Sequence, residues 1–503
     1  MSRFSGSLET PASADGASAR HATGALKWIG PVCLAFTAFA AQPAGEWTAL
    51  VAQASQAHDR GAYAESERFY SSALSIAEKF GPADNRLAVT LANLGTALRL
   101  QGKTQQAEAL YARAIGIWRS TGEAPNQLAA ALNNLGGIYR TNARYRDAES
   151  AYQEALAIDQ KELGSDSASV ALMGSNLGTV YQDQGKFDSA RQFYQRALEI
   201  QQRVLGPNHP DVASTLTHLG DLARREWRLQ EAEPLYQRAI AIREKALGPD
   251  HPQVAESLNA LAVLYRAEER YADAQPLYRR SLQIFEKALG PAQPRVAVAL
   301  NNLGQLAAAQ HKYPEAKQLF ERAIAIWEKS PDSGDSDLAA GFSNLAAVYA
   351  AQHKYGKAEE LYQRALRLNT ARFGSTHLRV AQDLNNLATF YHARRENTQA
   401  EDYLQQSIAI YERLLGPNDP NLVDPLLNLA ELYAAEKRFP EAIDLYRRAL
   451  PLRERVLGPD NPKLAEPLES YARALRNVED YAEAEQVEVR ATRIRVQMAL
   501  RAE

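Results

Sequence analysis

Cysteine is all but missing from this chain: Cys33 is the one cysteine in 503 residues. An intrachain disulfide framework and a zinc site built on several thiolates are thereby excluded. An excess of either charge is missing too. Lys and Arg total 57 against 60 Asp and Glu, a formal net charge of -3. That balance argues against a protein that holds nucleic acid by neutralising phosphates. No Gly-rich loop of the G-x-x-x-x-G-K-[ST] type and no H-E-x-x-H occurs, so two common nucleotide and zinc signatures are absent. What remains looks average: 46% hydrophobic and 23% charged residues, which excludes wholesale disorder and collagen-like structure. Arg outnumbers Lys by 43 to 14, and Ala is abundant, a bias that points to a GC-rich bacterial genome.

The N-terminus reads as an address. Residues 2–24 are rich in Ser, Ala and Gly, and Lys27 precedes an uncharged apolar run from Trp28 to Ala41 interrupted by Pro31. As a helix the run would span about 21 Å, short of a hydrocarbon core of about 30 Å. A basic flank, a short apolar stretch and Ala38-Phe39-Ala40 together predict a secretory signal over residues 1–40, cleaved after Ala40. Gly30-Pro31-Val32 is a poor lipoprotein box, so Cys33 is not expected to carry lipid. Export to the periplasm or beyond would leave a mature chain without cysteine and without a membrane span. The alternative is an uncleaved segment on a cytoplasmic or host-injected adaptor, since Ser-rich N-termini also resemble specialised secretion signals.

The rest of the chain, about 46–503, is one pattern written eleven times. Aligned on the residue before the usual L-[GA], the units fall at Ala52, Asn93, Asn134, Asn176, His218, Ala260, Asn302, Asn344, Asn386, Asn428 and Ser470. The spacing is 41 twice and 42 thereafter. Eighteen residues further on stand Tyr70, Tyr111, Tyr152, Tyr194, Tyr236, Tyr278, Phe320, Tyr362, Leu404, Tyr446 and Glu488. Such a register is the mark of a repeat array. Apolar residues at helical spacing predict two helices per unit, the first carrying L-N-N-L-[GA]-x-x-Y and the second [YF]-x-x-A-E-x-L-Y-x-R-A-[LI]. Small residues at fixed places, such as Gly136, Ala148 and Ala155, let the two helices approach closely.

Joints such as Gly206-Pro207-Asn208-His209-Pro210 and Gly248-Pro249-Asp250-His251-Pro252 stop one unit and start the next. Gly suits a left-handed C-terminal cap, the first Pro forbids continuation, and the second Pro fits the first helical position behind a capping residue.

These residues resemble the tetratricopeptide repeat, and the 42-residue unit with its L-G-P-x-H-P joint is similar to the kinesin-light-chain variety. The resemblance implies an all-α, right-handed solenoid of about eleven antiparallel helix-turn-helix units, with the first helices lining a concave groove. It also implies binding of a peptide or protein partner there, with no catalytic activity. A transport-motor role is not implied, because the coiled coil of kinesin light chains has no counterpart in this sequence.

Two rows are candidate peptide-binding positions. Asn93, Asn134, Asn176, Asn302, Asn344, Asn386 and Asn428 form an amide ladder, able to pair with an extended backbone or to bond neighbouring helices in register. Six residues further along lie Arg99, Arg140, Arg224 and Arg266, with Gln182 between them, followed by Ala308, Ala350, His392 and Ala434. A row of planar guanidinium groups suits an acidic segment. Asp424 and Glu431 then predict a groove that changes from basic to acidic. No cofactor and no metal is expected: His209 and His251 recur in adjacent joints, but Gln293, Asp419 and Asn461 replace them elsewhere, which marks a loop and capping position. Glu108 and Glu149 in the A-E motif read as surface salt-bridge partners. The final unit departs from the pattern at Tyr471 and Glu488 and adds Arg490, Arg493 and Arg495, predicting a polar outer face on a terminal cap.

Overall fold

The computed structural model describes residues 42–329 and 335–502. The predicted signal segment, with Lys27, Cys33 and the cleavage point after Ala40, lies outside the described residues. Among the described residues there are 22 α-helices and no strand. They form eleven antiparallel pairs. Units 1 to 4 pair α1 (Gln42–Asp59) with α2 (Tyr63–Ala77), α3 (Asn85–Leu100) with α4 (Thr104–Thr121), α5 (Pro125–Thr141) with α6 (Tyr145–Leu163), and α7 (Ala168–Asp183) with α8 (Phe187–Val204). Units 5 to 8 pair α9 (Pro210–Arg225) with α10 (Leu229–Leu247), α11 (Pro252–Ala267) with α12 (Tyr271–Leu289), α13 (Pro294–Ala309) with α14 (Tyr313–Lys329), and α15 (Asp335–Ala351) with α16 (Tyr355–Phe373). Units 9 to 11 pair α17 (Leu378–Ala393) with α18 (Asn397–Leu415), α19 (Val423–Ala435) with α20 (Phe439–Leu457), and α21 (Ala465–Asn477) with α22 (Tyr481–Ala502).

Within a unit, packing is set by the small residue after the ladder position and the aromatic of the second helix. A Cβ on Gly178 would lie 2.6 Å from Cε1 of Tyr194, and one on Gly220 would lie 2.8 Å from Cε1 of Tyr236. The ring therefore occupies the space that a side chain on the first helix would take. Tyr111, Tyr194, Tyr236, Tyr278, Phe320 and Tyr446 are all essentially fully buried, each worth roughly 1.5–3 kcal/mol of burial. Ala107, Ala148, Ala190 and Ala232, on the second helices, are fully buried as well.

The turn inside each unit needs one residue in the left-handed region. Gly61, Gly102 and Gly185 take it, but so do Ala143, Trp227, Glu269, His311, His353, Arg395, Lys437 and Glu479, with φ between 54° and 64°. The backbone hydrogen bonds that close the turn, such as Lys437 N–H to Ala434 O at 3.1 Å and Arg438 N–H to Tyr433 O at 2.8 Å, impose this conformation whatever the side chain.

The joints between units behave differently from the sequence expectation in one respect. Gly248, Gly290 and Gly416 have φ of 89°, 90° and 92°, but ψ of 156°, 154° and 166°. This is an extended conformation with positive φ, not the left-handed helical cap; it turns the chain straight out of the helix toward the following Pro. The histidines cap as expected. Nδ1 of His209 accepts from the Asp211 N–H at 3.1 Å, and Nδ1 of His251 accepts from the Gln253 N–H at 3.2 Å. Asp419 and Asn461 cap the last two joints through their side-chain oxygens. There the chain makes a short 3-10 turn, Pro420–Leu422 or Pro462–Leu464, before the α-helix begins. Pro425 and Pro467, just inside those helices, have no N–H to donate backward, which delays the α-helical ladder.

Four boundaries between units also carry a polar pair of their own. At one position of the second helix the chain places Asp159, Gln201, Arg243 or Asn369, where other units have Trp118, Phe285 or Trp327. Thr215 Oγ1 donates to Gln201 Oε1 at 2.7 Å, Arg243 Nη1 donates to Ser257 Oγ at 2.6 Å, and Asn369 Nδ2 donates to Asp383 Oδ2 at 2.6 Å. Neighbouring units are thus matched in pairs, although the repeat motif itself is uniform.

Candidate functional site

Successive first helices touch one another across units, α3 with α5, α9 with α11 and α13 with α15, whereas second helices make no comparable approach. The first helices are therefore the inner layer, and both candidate rows lie on it.

The amide ladder is largely committed to holding that layer together. Asn176 Nδ2 donates to Asn133 Oδ1 at 2.6 Å, Asn302 to Asn259 at 2.9 Å, Asn344 to Asn301 at 3.0 Å and Asn428 to Asn385 at 2.9 Å. Each bond runs from the ladder residue of one unit to the residue before the ladder position in the unit before. His218 takes the place of Asn in unit 5 and shares a hydrogen bond with Ser175 at 3.1 Å. Burial drives the His218 imidazole down to a pKa of about 4, so it is neutral at physiological pH. Asn386 is also buried, and its Oδ1 accepts from Gln382 on its own helix at 3.1 Å. Asn93 and Asn134 are half-buried, and Oδ1 of Asn134 finds no donor. Of the two roles open to the ladder, bonding between neighbouring helices accounts for four of its seven members.

The arginine row divides. Arg140 is buried, and its Nη1 donates to Asp183 Oδ2 at 2.9 Å; Arg225 approaches the other oxygen of Asp183 at 3.8 Å. One carboxylate thus ties unit 3, unit 4 and unit 5 together. Arg224 lies 3.8 Å from Asp221, which also accepts from the Tyr236 hydroxyl at 2.7 Å. Gln182, the interruption in the row, accepts from the Tyr194 hydroxyl at 3.1 Å. Arg99 and Arg266 are half-buried beside the hydroxyls of Tyr111 and Tyr278, and the Nε of each is buried with no acceptor. Further along, Ala308 is buried, Ala350 and Ala434 are half-buried, and His392 Nδ1 meets Asn397 Oδ1 at 3.3 Å. Unit 10 then presents Asp424, exposed, and Glu431, whose carboxyl is pushed above its usual range by burial, with Glu466 adding to the effect.

The sequence left Asp183 and the boundary pairs unnoticed. Asp183 could have been found, because it is an acidic residue next to Gln182, the one gap in the basic row. On the outer surface the A-E glutamates are partnered: Arg144 reaches Glu108 at 2.6 Å, and Tyr181 donates to Glu149 at 2.9 Å. Such exposed pairs contribute about 0–1 kcal/mol each. The last helix, by contrast, is less polar than anticipated: Val489, Val496 and Leu500 are 64%, 52% and 68% exposed. Among the described residues no cluster of three or more His, Cys, Asp or Glu could hold a metal ion, and no helix is long and apolar enough to cross a membrane.

A right-repeating stack of helix pairs, with a polar inner layer and unit-to-unit hydrogen bonds, defines an α-solenoid of the protein-interaction class. Family models described as tetratricopeptide repeat match residues 48–120, 128–169, 169–245, 219–287, 253–329, 337–413, 383–455 and 422–495. The chain belongs to the tetratricopeptide repeat family. Proteins of this family bind protein partners and are generally non-catalytic scaffolds. No curated protein matches the chain. Among solved structures it is similar to BtubC (BKLC) from P. vanneervenii, at 27% identity over 47% of this chain and 92% of that one, with a TM-score of 0.38. It is similar also to a putative kinesin light chain of Podosopora anserina with nearly identical repeats, at 26% identity over 41% of this chain and 98% of that one, TM-score 0.35. A Rap protein complexed with competence and sporulation factor matches at 17% identity over 76% of this chain and 99% of that one, TM-score 0.49.

Proposed function

We propose that this chain is a non-catalytic scaffold that takes an extended, carboxylate-bearing segment of a partner protein along its inner layer. The observation that carries this reading is the pair Arg99 and Arg266. Both stand on first helices in the half of the array where guanidinium groups recur, and each keeps a buried Nε without an acceptor. A buried donor left unmatched costs about 1–3 kcal/mol, which a ligand carboxylate arriving in the layer would recover. Charge-assisted bonds from a planar guanidinium are about twice as strong as neutral ones and select carboxylate geometry. Arg140 serves the stack through Asp183 and is not an anchor in this reading.

The test is binding of labelled decapeptides, Glu-rich against Lys-rich, followed by fluorescence anisotropy. Support is preferential binding of the acidic peptide, weakened at least tenfold in an Arg99→Glu/Arg266→Glu variant and unaltered in a variant with outward-facing charge reversals. Equal binding of both peptides, or an unaffected variant, overturns the reading.

We also propose that the protein is exported, on the strength of Lys27, the run Trp28–Ala41 and Ala38-Phe39-Ala40. Sequencing the N-terminus of protein recovered from the native cell decides this. A start at Ala41 supports export; an intact Met1 favours the cytoplasmic or host-injected alternative.

A further inference from the structure

Two contacts join parts of the chain that lie more than five units apart. The turn of unit 4 meets the joint before unit 10: a Cβ on Gly185 would stand 3.6 Å from both Asp419 Oδ2 and Pro420 Cδ. The turn of unit 5 meets the joint before unit 11: Nζ of Lys463 sits over the Trp227 ring, 4.2 Å from its centre. The sequence separations are 419 − 185 = 234 and 463 − 227 = 236. At 42 residues per unit, both contacts close after the same advance, between five and six units. The array therefore completes one superhelical turn and touches itself along a seam.

Burial of the joints follows the same geometry. The capping residues His377, Asp419 and Asn461 of the later joints are 7%, 6% and 6% exposed, while their equivalents His209 and His251 are half-buried and Gln293 is exposed. Asp419 and Asn461 lie at the two joints of the seam, whereas His377 is covered by the Phe373 ring stacked on it with centroids 4.3 Å apart. Trp227 gives a second sign. It holds φ at 58°, in the left-handed region that the closing backbone bonds give every such turn, a conformation that disfavours a bulky side chain. Other units place Gly or small, polar or charged residues at this turn. An aromatic there serves to stack under Lys463, a cation–π contact worth roughly 0.5–2 kcal/mol.

We propose that the Gly185/Asp419–Pro420 and Trp227/Lys463 contacts form a clasp that fixes the pitch of the solenoid and closes its flank. The inner layer of the middle units is then entered along the axis of the coil, or sideways only after the clasp opens. The inference is independent of what the inner layer binds, because it rests on contacts between outer turns and joints. Gly185 holds φ at 70° and a Cβ there would make ordinary van der Waals contact with Asp419 and Pro420, so a side chain much longer than a methyl would run into the joint.

Small-angle X-ray scattering of the full chain tests the clasp. Lys463→Glu, which sets a carboxylate against the ring, and Gly185→Arg, which wedges the seam, each raise the radius of gyration and maximum dimension while helicity by circular dichroism is unchanged. Glu269→Arg is the control. It occupies the same turn position in unit 6 with its side chain exposed, so its scattering matches the wild type. Should Gly185→Arg lose helicity, Lys463→Glu alone decides. A wild-type curve already matching an open coil, or an unchanged curve for helical Lys463→Glu, overturns the proposal.

Discussion

Asn302 reaches back across a unit boundary and donates its Nδ2 to the Oδ1 of Asn259 at 2.9 Å, both side chains being about 95% buried. The pair lies in the inner layer, where α11 and α13 meet, and a one-residue slip of either helix would break it. In a stacked array each unit contacts only its neighbours, so stability is a sum of unit and boundary terms. A bond of this kind is a register mark at the boundary.

Truncating Asn302 to Ala removes the donor and strands the Asn259 carbonyl in a buried site, a loss of about 1–3 kcal/mol. The double variant Asn259→Ala/Asn302→Ala is less destabilised than the sum of the two single variants, because no orphan acceptor remains. Urea unfolding of the four proteins gives the coupling energy. Strict additivity would show that the bond contributes nothing to the boundary.

The intra-unit turn supplies a stabilising prediction. Lys437 holds φ at 63° with no requirement for its side chain there, and the left-handed conformation costs a non-glycine residue about 1–2 kcal/mol. Lys437→Gly relieves that strain at some cost in chain entropy, a net gain of about 0.5–1 kcal/mol. The reverse change, Gly102→Ala, loses a similar amount. Thermal unfolding followed at 222 nm checks both, and a lower midpoint for Lys437→Gly would contradict the account.

Gly178 and Tyr194 make the opposite case. With the added Cβ at 2.6 Å from the ring, Gly178→Ala forces the α7–α8 pair apart and costs about 1–3 kcal/mol. Ala262 faces Tyr278 in unit 6 with both buried, so the fold accommodates the combination where the helices are already spaced for it. Gly178→Ala/Tyr194→Leu, which copies the Ala388–Leu404 pairing of unit 9, removes the clash, so its loss is smaller than the sum of the two single-variant losses. If the single variant unfolds at the wild-type midpoint, close approach at this position is not what glycine provides.

The features legible in the sequence are those that every unit shares. The ladder Asn, the buried Tyr and the capped joints recur at fixed offsets, and periodicity alone placed them. What could not be read depends on differences between units. The Asp159, Gln201, Arg243 and Asn369 position looks like noise along the repeat, because each residue answers to a particular neighbour in the next unit. The commitment of Arg140 to Asp183 needed the relative height of two adjacent helices. The meeting of Trp227 with Lys463 needed the pitch of the whole coil, which accumulates from small rotations at every boundary. The joint glycines were located correctly, but their ψ near 155° is set by the direction of the following Pro and not by the helix they end.

Buried titratable groups in the stack predict two opposing pH effects, separable by substitution. His58, His218 and His377 are held neutral, with burial driving each to a pKa of about 4 from the usual 6.5. The unfolded chain binds the extra protons between pH 6.5 and 4, so stability falls on acidification through that window. Asp383 works in the other direction. Its burial raises the carboxyl to about 7, only partly offset by the bond from Asn369 and the charge of Arg379. The folded state keeps a proton that the unfolded state has released, so this group costs stability as pH rises from about 4 to about 7, and the cost is constant above that. Asp383→Asn keeps an oxygen to accept from Asn369 and removes the ionisation. The unfolding midpoint therefore rises at pH 8, on the order of 1–2 kcal/mol in stability, and shows little change at pH 4. His218→Asn has the complementary signature, a shallower loss between pH 6.5 and 4 with little change at pH 8. A Asp383→Asn protein whose advantage is the same at pH 4 and pH 8 would mean that Asp383 is charged throughout, and that the Asn369 bond compensates its burial completely.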